Sequence, residues 1–307
     1  MSFSNKNIKF KIKVSTFFIR FFVLLSGGNI AKAKNKSNDF KAKLLTKYFA
    51  KKYLPAVKIV EQKEVTTENP ETIWQFWDNP KGEKTPEIIK SCLESTDKFK
   101  GNFERKILNN STFKNFSDLP AYVLDKFKSG KIDYTHFSDL LRLNLLKNHG
   151  GIWLDATAYM TDFVPKYILD EDFFVFLIGN LTRFPYSFMQ SCFIRAKKGS
   201  FLCDEWYQMC IDYWKTENKK LEYFQIHLMF KAFVDNNPTA KKLFSQMPKV
   251  SEDGIHCLIG DNLFKKFDFA AWEKIKNSFF FQKTTYKVPK GIDYSNTYYS
   301  KLCEGNI

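Results

Sequence analysis

In residues 133–162, DYTHFSDLLRLNLLKNHGGIWLDATAYMTD, the spacing of apolar positions marks a helix, a stop and a strand in succession. At roughly 100° per residue, Phe137, Leu140 and Leu141 share one helical face with Leu145 nearby, while Leu143 and Leu146 point the other way. A helix apolar almost all round is a buried one. Asp133 or Thr135 can cap its start, and Asn148-His149-Gly150-Gly151 ends it with residues that tolerate left-handed backbone, so the spacing predicts a helix over 135–148. Ile152-Trp153-Leu154 then reads as a short strand with Asp155 directly after it.

The same reading places strands at 73–77, 103–108, 173–178, 188–194 and 279–282, and helices at 86–95, 117–128, 200–215 and 221–234. Strands alternating with helices predict an α/β layer around a mostly parallel sheet. In the first strand Trp74 and Trp77 are three apart and face opposite sides, so at most one belongs to a site and the other is packed. Residues 65–71, ending at Pro70, read as a linker, which divides the chain into a basic segment, 1–69, and a larger unit, 70–307.

Charge sharpens that division. The chain of 307 residues carries a net +15, and residues 1–70 alone hold 15 Lys/Arg against 4 Asp/Glu. Residues 14–25, VSTFFIRFFVLL, form a dense apolar run that falls short of the ~20 residues a membrane span needs. An interfacial helix, a helix packed on the main unit or a signal sequence are the alternatives; Ala31-Lys32-Ala33 resembles a cleavage site, and Arg20 inside the run opposes export. In residues 31–63, Phe40, Leu44, Leu45, Tyr48 and Phe49 recur at helical spacing among lysines, which predicts a basic amphipathic helix with a solvated face. Such a segment suits an anionic membrane surface or an acidic glycan, while nothing in the chain matches a zinc finger or an RRM-like aromatic pair, so specific nucleic-acid binding is not expected. The six cysteines lack C-x-x-C spacing and read as buried free thiols, consistent with a reducing, cytoplasmic setting.

The candidate chemistry lies in the central stretch. Asp139 and Arg142 sit about 60° apart on a buried helix, where they either pair to pin the fold or face a polar ligand. Asp155 follows a strand whose end, in an open α/β sheet, would line a ligand crevice; a turn-forming aspartate is the other reading. No P-loop, G-x-G-x-x-G or G-x-S-x-G pattern occurs, and there is no internal repeat.

SDLLR, a leucine-rich half-helix and HGGIWLDAT, in this order and spacing, resemble the signature of the capsular polysaccharide synthesis glycosyltransferases. More distantly, they resemble the Asp-x-Asp sugar transferases that include initiating mannosyltransferases and clostridial toxin glucosyltransferases. The resemblance implies a GT-A-like nucleotide-sugar fold and transfer, with retention of configuration, from a nucleotide-diphosphate sugar to a glycan or lipid-linked oligosaccharide. It implies that Asp155, helped by Thr157, holds Mg²⁺ or Mn²⁺, that Arg142 binds phosphate, that Asp139 accepts from sugar hydroxyls, that Trp77 stacks on the base and that Gln190 lies near the donor sugar. It also draws attention to Tyr223, Phe224 and His227, where the capsule enzymes have a similar Tyr-Phe segment. The chain departs from the wider pattern in reading Asp155-Ala156-Thr157 where the distant relatives have a second aspartate. The expected location is cytoplasmic or peripheral on the inner face of the membrane, and a non-catalytic, basic, membrane-associated binding protein of a polysaccharide assembly complex is the competing expectation. His256 and Asp261 fall in a turn-rich stretch suited to closing over a ligand.

Overall fold

A computed structural model describes residues 5–54, 71–79, 83–180, 182 and 184–305. The linker expected over 65–71 lies almost wholly outside the described residues. In chain order the elements are α1 (Asn5–Leu25), α2 (Ile30–Tyr53), β1 (Thr72–Phe76), α3 (Glu87–Phe99), β2 (Glu104–Leu108), α4 (Ala121–Lys128), α5 (Tyr134–His149), β3 (Gly151–Leu154) and β4 (Ala158–Met160). They continue with α6 (Lys166–Leu169), β5 (Phe173–Leu177), β6 (Met189–Ala196), α7 (Phe201–Thr216), α8 (Gln225–Asn236), α9 (Pro238–Gln246), α10 (Phe269–Lys276), β7 (Phe281–Lys283) and α11 (Tyr298–Glu304).

Five strands form one sheet in the order β2-β1-β3-β6-β5, and β4 pairs with β7 in a separate ribbon. β1 runs parallel to β2 and to β3, whereas β6 runs against both β3 and β5. The sheet is therefore mostly parallel with one reversed strand. The connection explains the reversal: β5 reaches β6 across residues 178–188, too short a path for a crossover that would keep the strands parallel.

α5 packs on β1, β3 and β6 and on α7, and α2 packs on α8 and α7. Leu45, Tyr48 and Phe49 of α2 are buried in the same core as Trp74, Phe137 and Trp153, so the apolar face of this basic helix packs on the core while Lys34, Lys43, Lys47 and Lys51 stay on an exposed face. α1 packs on α2, not on the sheet; Ile8 and Val23 are buried, and Arg20 Nε donates to Ser37 Oγ at 3.0 Å. A second, smaller core gathers Ile88, Cys92, Trp272, Tyr298 and Leu302 around α3, α10 and α11. All six cysteines are free, four of them buried. Among the described residues no helix is long and apolar enough to cross a membrane.

One local feature shapes each edge of the sheet, the first at the amino ends of β1 and β3 and the second near the carboxyl end of β5. Gly150 and Gly151 have φ of 71° and 100°, and a Cβ on Gly151 would meet the Thr72 carbonyl oxygen at 2.2 Å, so the α5–β3 turn and its close pass to β1 both require glycine. The β5–β6 register breaks between Val175, opposite Ile194, and Phe176, opposite Gln190. That irregularity leaves Ser191 outside the β5 ladder, with its polar groups free for another partner.

Candidate active site

The carboxyl ends of β1 and β3 and the start of α5 open onto a cleft of about 570 Å³. Trp77, Ser138, Arg142, Asp155, Thr157 and Tyr286 line it. α5 is held at its start by Asp133, whose carboxylate accepts from His136 N–H at 3.0 Å, one residue earlier than the predicted boundary. This fixes the helix so that Arg142, two turns on, reaches the sheet. Asp155 is fixed by backbone: its N–H donates to the Cys192 carbonyl at 2.8 Å, and its own carbonyl accepts from Ala158 N–H at 2.9 Å.

Arg142 is the hub. Its guanidinium lies 3.2 Å from Asp139 and 3.6 Å from Asp155, stacks on Trp153 at 5.0 Å, and donates to both the Ser191 carbonyl and Ser191 Oγ at 2.6 Å. Ser191 Oγ, already accepting from Arg142, also shares a hydrogen bond with His227 Nε2 at 2.9 Å. Burial, and then the Arg142 charge, push the His227 pKa down to about 3, so the imidazole in this bond is neutral.

The two carboxylates diverge. Burial pushes the Asp139 pKa up against the attraction of Arg142, and the side chain is almost fully enclosed behind that arginine. Asp155 exposes a quarter of its side chain; burial opposes its charge, but Lys283 first and Arg142 next hold its carboxyl below the usual range. Trp153 Nε1 donates to Asp155 Oδ1 at 2.9 Å, and Lys283 Nζ donates to Oδ2 at 2.8 Å. Lys283 also bonds Thr157 Oγ1.

The structure thus brings Trp77, Arg142, Asp155 and Thr157 to one cleft and sets Asp139 behind Arg142. Trp74 is buried, donating Nε1 to the Gly150 carbonyl at 2.9 Å, while Trp77 faces the cleft edge-on to Tyr286 at 5.0 Å; the pair divides as the strand period predicts. Gln190 does not line the cleft. It neighbours Ser191 in sequence but alternates away from it, towards the buried Glu252. His256 lies 3.5 Å from Glu252, also outside the cleft lining, and the Asp261 side chain is not among the described ones.

Asp155 and Thr157 do not make a divalent-metal site as they stand, because the Lys283 ammonium already bridges them. A hard dication draws on several oxygen ligands, and among the described residues no group of three or more His, Cys, Asp or Glu is placed to hold one. Sequence reasoning missed Lys283, Ser191 and Tyr286. Lys283 ends the strand predicted at 279–282, one residue past the expected end, and its distance of 128 residues from Asp155 carries no local signal.

Fold and cleft together define an α/β protein with a charge-lined crevice at the carboxyl ends of parallel strands. The chain matches the family model described as capsular polysaccharide synthesis protein over residues 24–302, and it belongs to that family. Among solved structures it is similar to one titled PaToxG Glycosyltransferase, with 14% identity and a TM-score of 0.39 over 76% of this chain and 84% of that one. No curated protein matches the chain.

Proposed function

We propose that the protein is a glycosyltransferase that moves a sugar from a nucleotide-diphosphate donor to a glycan or lipid-linked acceptor in capsule or surface polysaccharide synthesis. The observation that carries this reading is the meeting of Trp77, Arg142 and Asp155 in one cleft, and membership of the capsular polysaccharide synthesis family supports it. A cleft of about 570 Å³ is of the size that encloses a small polar ligand. The sheet with its single reversed strand is compatible with a GT-A-like nucleotide-sugar fold.

In this reading the base stacks on Trp77 at the end of β1, and the diphosphate lies towards Arg142. Transfer breaks the bond between the anomeric carbon and the phosphate oxygen, and the electron pair stays on the departing diphosphate. The acceptor oxygen forms the new bond and its proton passes to a phosphate oxygen on the same face, which retains configuration. Asp155, the cleft carboxylate that pairs with Arg142, is engaged by Trp153 and Lys283 and is not free to act as a nucleophile. The role of the protein is then to hold positive charge where the leaving group develops negative charge.

A peripheral membrane contact, on the cytoplasmic face, is favoured by α1. Phe17 stacks on Phe21 and Phe18 on Phe22, each pair at 6.4 Å, with all four rings exposed and Lys9, Lys11 and Lys13 on the preceding turns.

The test is turnover of a panel of nucleotide sugars by the full chain, read as release of the nucleoside diphosphate. One donor is expected to be consumed, and Asp155→Asn to slow that consumption by ~100-fold or more, the scale of losing one preorganised electrostatic group. A non-catalytic binding protein would consume none, and Asp155→Asn would change nothing.

A further inference from the structure

We infer that Lys283 is the cation that receives the donor diphosphate, in the place where a divalent metal would otherwise link it to Asp155. This rests on the sugar-nucleotide reading above and names the residue that neutralises the leaving group.

The position of the ammonium carries the argument. Lys283 Nζ lies 2.8 Å from Asp155 Oδ2 and also bonds Thr157 Oγ1, the two oxygens a metal would need. A magnesium ion would sit about 2.0–2.1 Å from such oxygens, which is within the volume the ammonium fills, and two cations cannot share it. Nor is the lysine a chance visitor from a loose loop. It ends β7, which pairs with β4 so that Lys283 stands opposite Ala158. Thr284 next to it donates both N–H and Oγ1–H to the Thr157 carbonyl, each at 2.8 Å. The backbone on either side of the lysine is thereby stitched to the segment that carries Asp155 and Thr157.

Charge distribution points the same way. A bare carboxylate at the cleft would repel a diphosphate, yet Asp155 has Arg142 on one oxygen and Lys283 on the other. Arg142 is largely committed to Asp139, Ser191 and the face of Trp153. Lys283 spends two N–H donors on Asp155 and Thr157, the cleft-lining residues directly behind which it stands, and 18% of its side chain remains exposed. Burial works against its charge, but Asp155 outweighs burial and keeps the pKa above the ordinary value, so the group is an ammonium throughout the physiological range. The Asp-Ala-Thr sequence is then coherent: with a lysine supplying the positive charge, a second aspartate would add a negative charge with no dication to balance it.

The experiment is a calorimetric titration of the full chain with UDP, GDP and CDP, in EDTA and in Mn²⁺ or Mg²⁺, for the wild type, Lys283→Met and Lys283→Arg. Near-ultraviolet circular dichroism of each variant verifies its fold. The wild type is expected to bind one nucleoside diphosphate equally well in EDTA and in metal. Lys283→Met should weaken that binding by roughly 10–100-fold, the value of one charge-assisted hydrogen bond, with Lys283→Arg recovering part of it and affinity for the bare nucleoside unchanged. Wild-type binding that needs metal, or a folded Lys283→Met with wild-type affinity, overturns the assignment of Lys283 and leaves the transferase reading standing. Absence of binding to all three diphosphates, with and without metal, overturns both. The EDTA arm needs no variant, so it decides even if Lys283→Met does not fold.

Discussion

The crevice at the end of β3 and the surface of α1 depart from the ordinary distribution of residues in opposite directions. In the crevice, charge sits where the surroundings are apolar: Asp139 and Arg142 are each 5% exposed, on a helix that also buries Leu140, Leu141, Leu143, Leu145 and Leu146. On α1, apolar surface sits where the surroundings are water: Phe10 is 71% exposed and Phe17 66%. A buried charge and an exposed aromatic patch are both costly to a soluble fold, and either is more informative than a buried leucine or an exposed lysine. The difference lies in how each cost is met. Around Arg142 the chain supplies the partners itself, through Asp139, Asp155, Ser191 and Trp153. Along α1, Ile8 and Val23 are buried and Arg20 is bonded to Ser37, while Phe17, Phe18, Phe21 and Phe22 stay exposed and stack on one another. Structure and chemistry are therefore inseparable in the crevice, and separable on α1.

That contrast can be broken most forcefully at Arg142. Replacing it with methionine leaves Asp139 buried without its cation, a loss of about 3–5 kcal/mol. Arg142→Met is thus expected to lower the midpoint of urea unfolding markedly as well as to abolish nucleotide binding. A variant of unchanged stability would show that the cluster is not holding the fold.

A smaller effect is expected from pH. Burial pushes His227 to about 3 and His256 to about 4, both below the ordinary imidazole value near 6.5. The unfolded chain then binds more protons than the folded one as pH falls below about 6.5, so stability declines through that window, by up to about 1.4 kcal/mol per pH unit for each group. Below the folded-state values the loss levels off. Thermal melts from pH 7 to 4 should show the decline, and His227→Gln should make it shallower, leaving the share of His256; a melting temperature flat over that range would contradict the neutral imidazoles.

The smallest stability effect belongs to α1. Replacing Phe17, Phe18, Phe21 and Phe22 with serine removes exposed side chains and should leave the melting temperature within the small range of ordinary surface changes, about 0.5 kcal/mol per site. Sedimentation with vesicles containing anionic lipid should nonetheless fall sharply. If the variant is less stable and still sediments, the rings serve packing and the comparison with the crevice collapses.

How much of this was legible in the sequence depends on the range over which each feature is encoded. α5, its Asp133 cap, its glycine stop and the Asp139–Arg142 pairing are set within a turn or two of helix, and the residues announce them. Strand parity alone separated Trp74 from Trp77. The direction of β6 was not legible, because alternation of side chains is the same for both directions and only the short β5–β6 connection decides it. Ser191 owes its role to a register break that no local pattern marks, and Gln190 beside it points elsewhere by the same alternation. α2 was readable as amphipathic, but its apolar face met the core through partners on α7 and α8 more than a hundred residues away. Lys283 was hidden for the same reason: one lysine among many in a basic chain gains meaning only when β7 pairs with β4 and brings it to Asp155.

The central claim is that the crevice holds a nucleoside diphosphate with its base on Trp77. Calorimetric titration of the full chain with UDP, GDP and CDP, for the wild type and Trp77→Ala, tests it most directly. Binding of one of the three by the wild type, weakened in Trp77→Ala by the ~1–3 kcal/mol that base stacking contributes, is the predicted result. A folded wild type that binds none of them, or a Trp77→Ala variant with undiminished affinity, would contradict it.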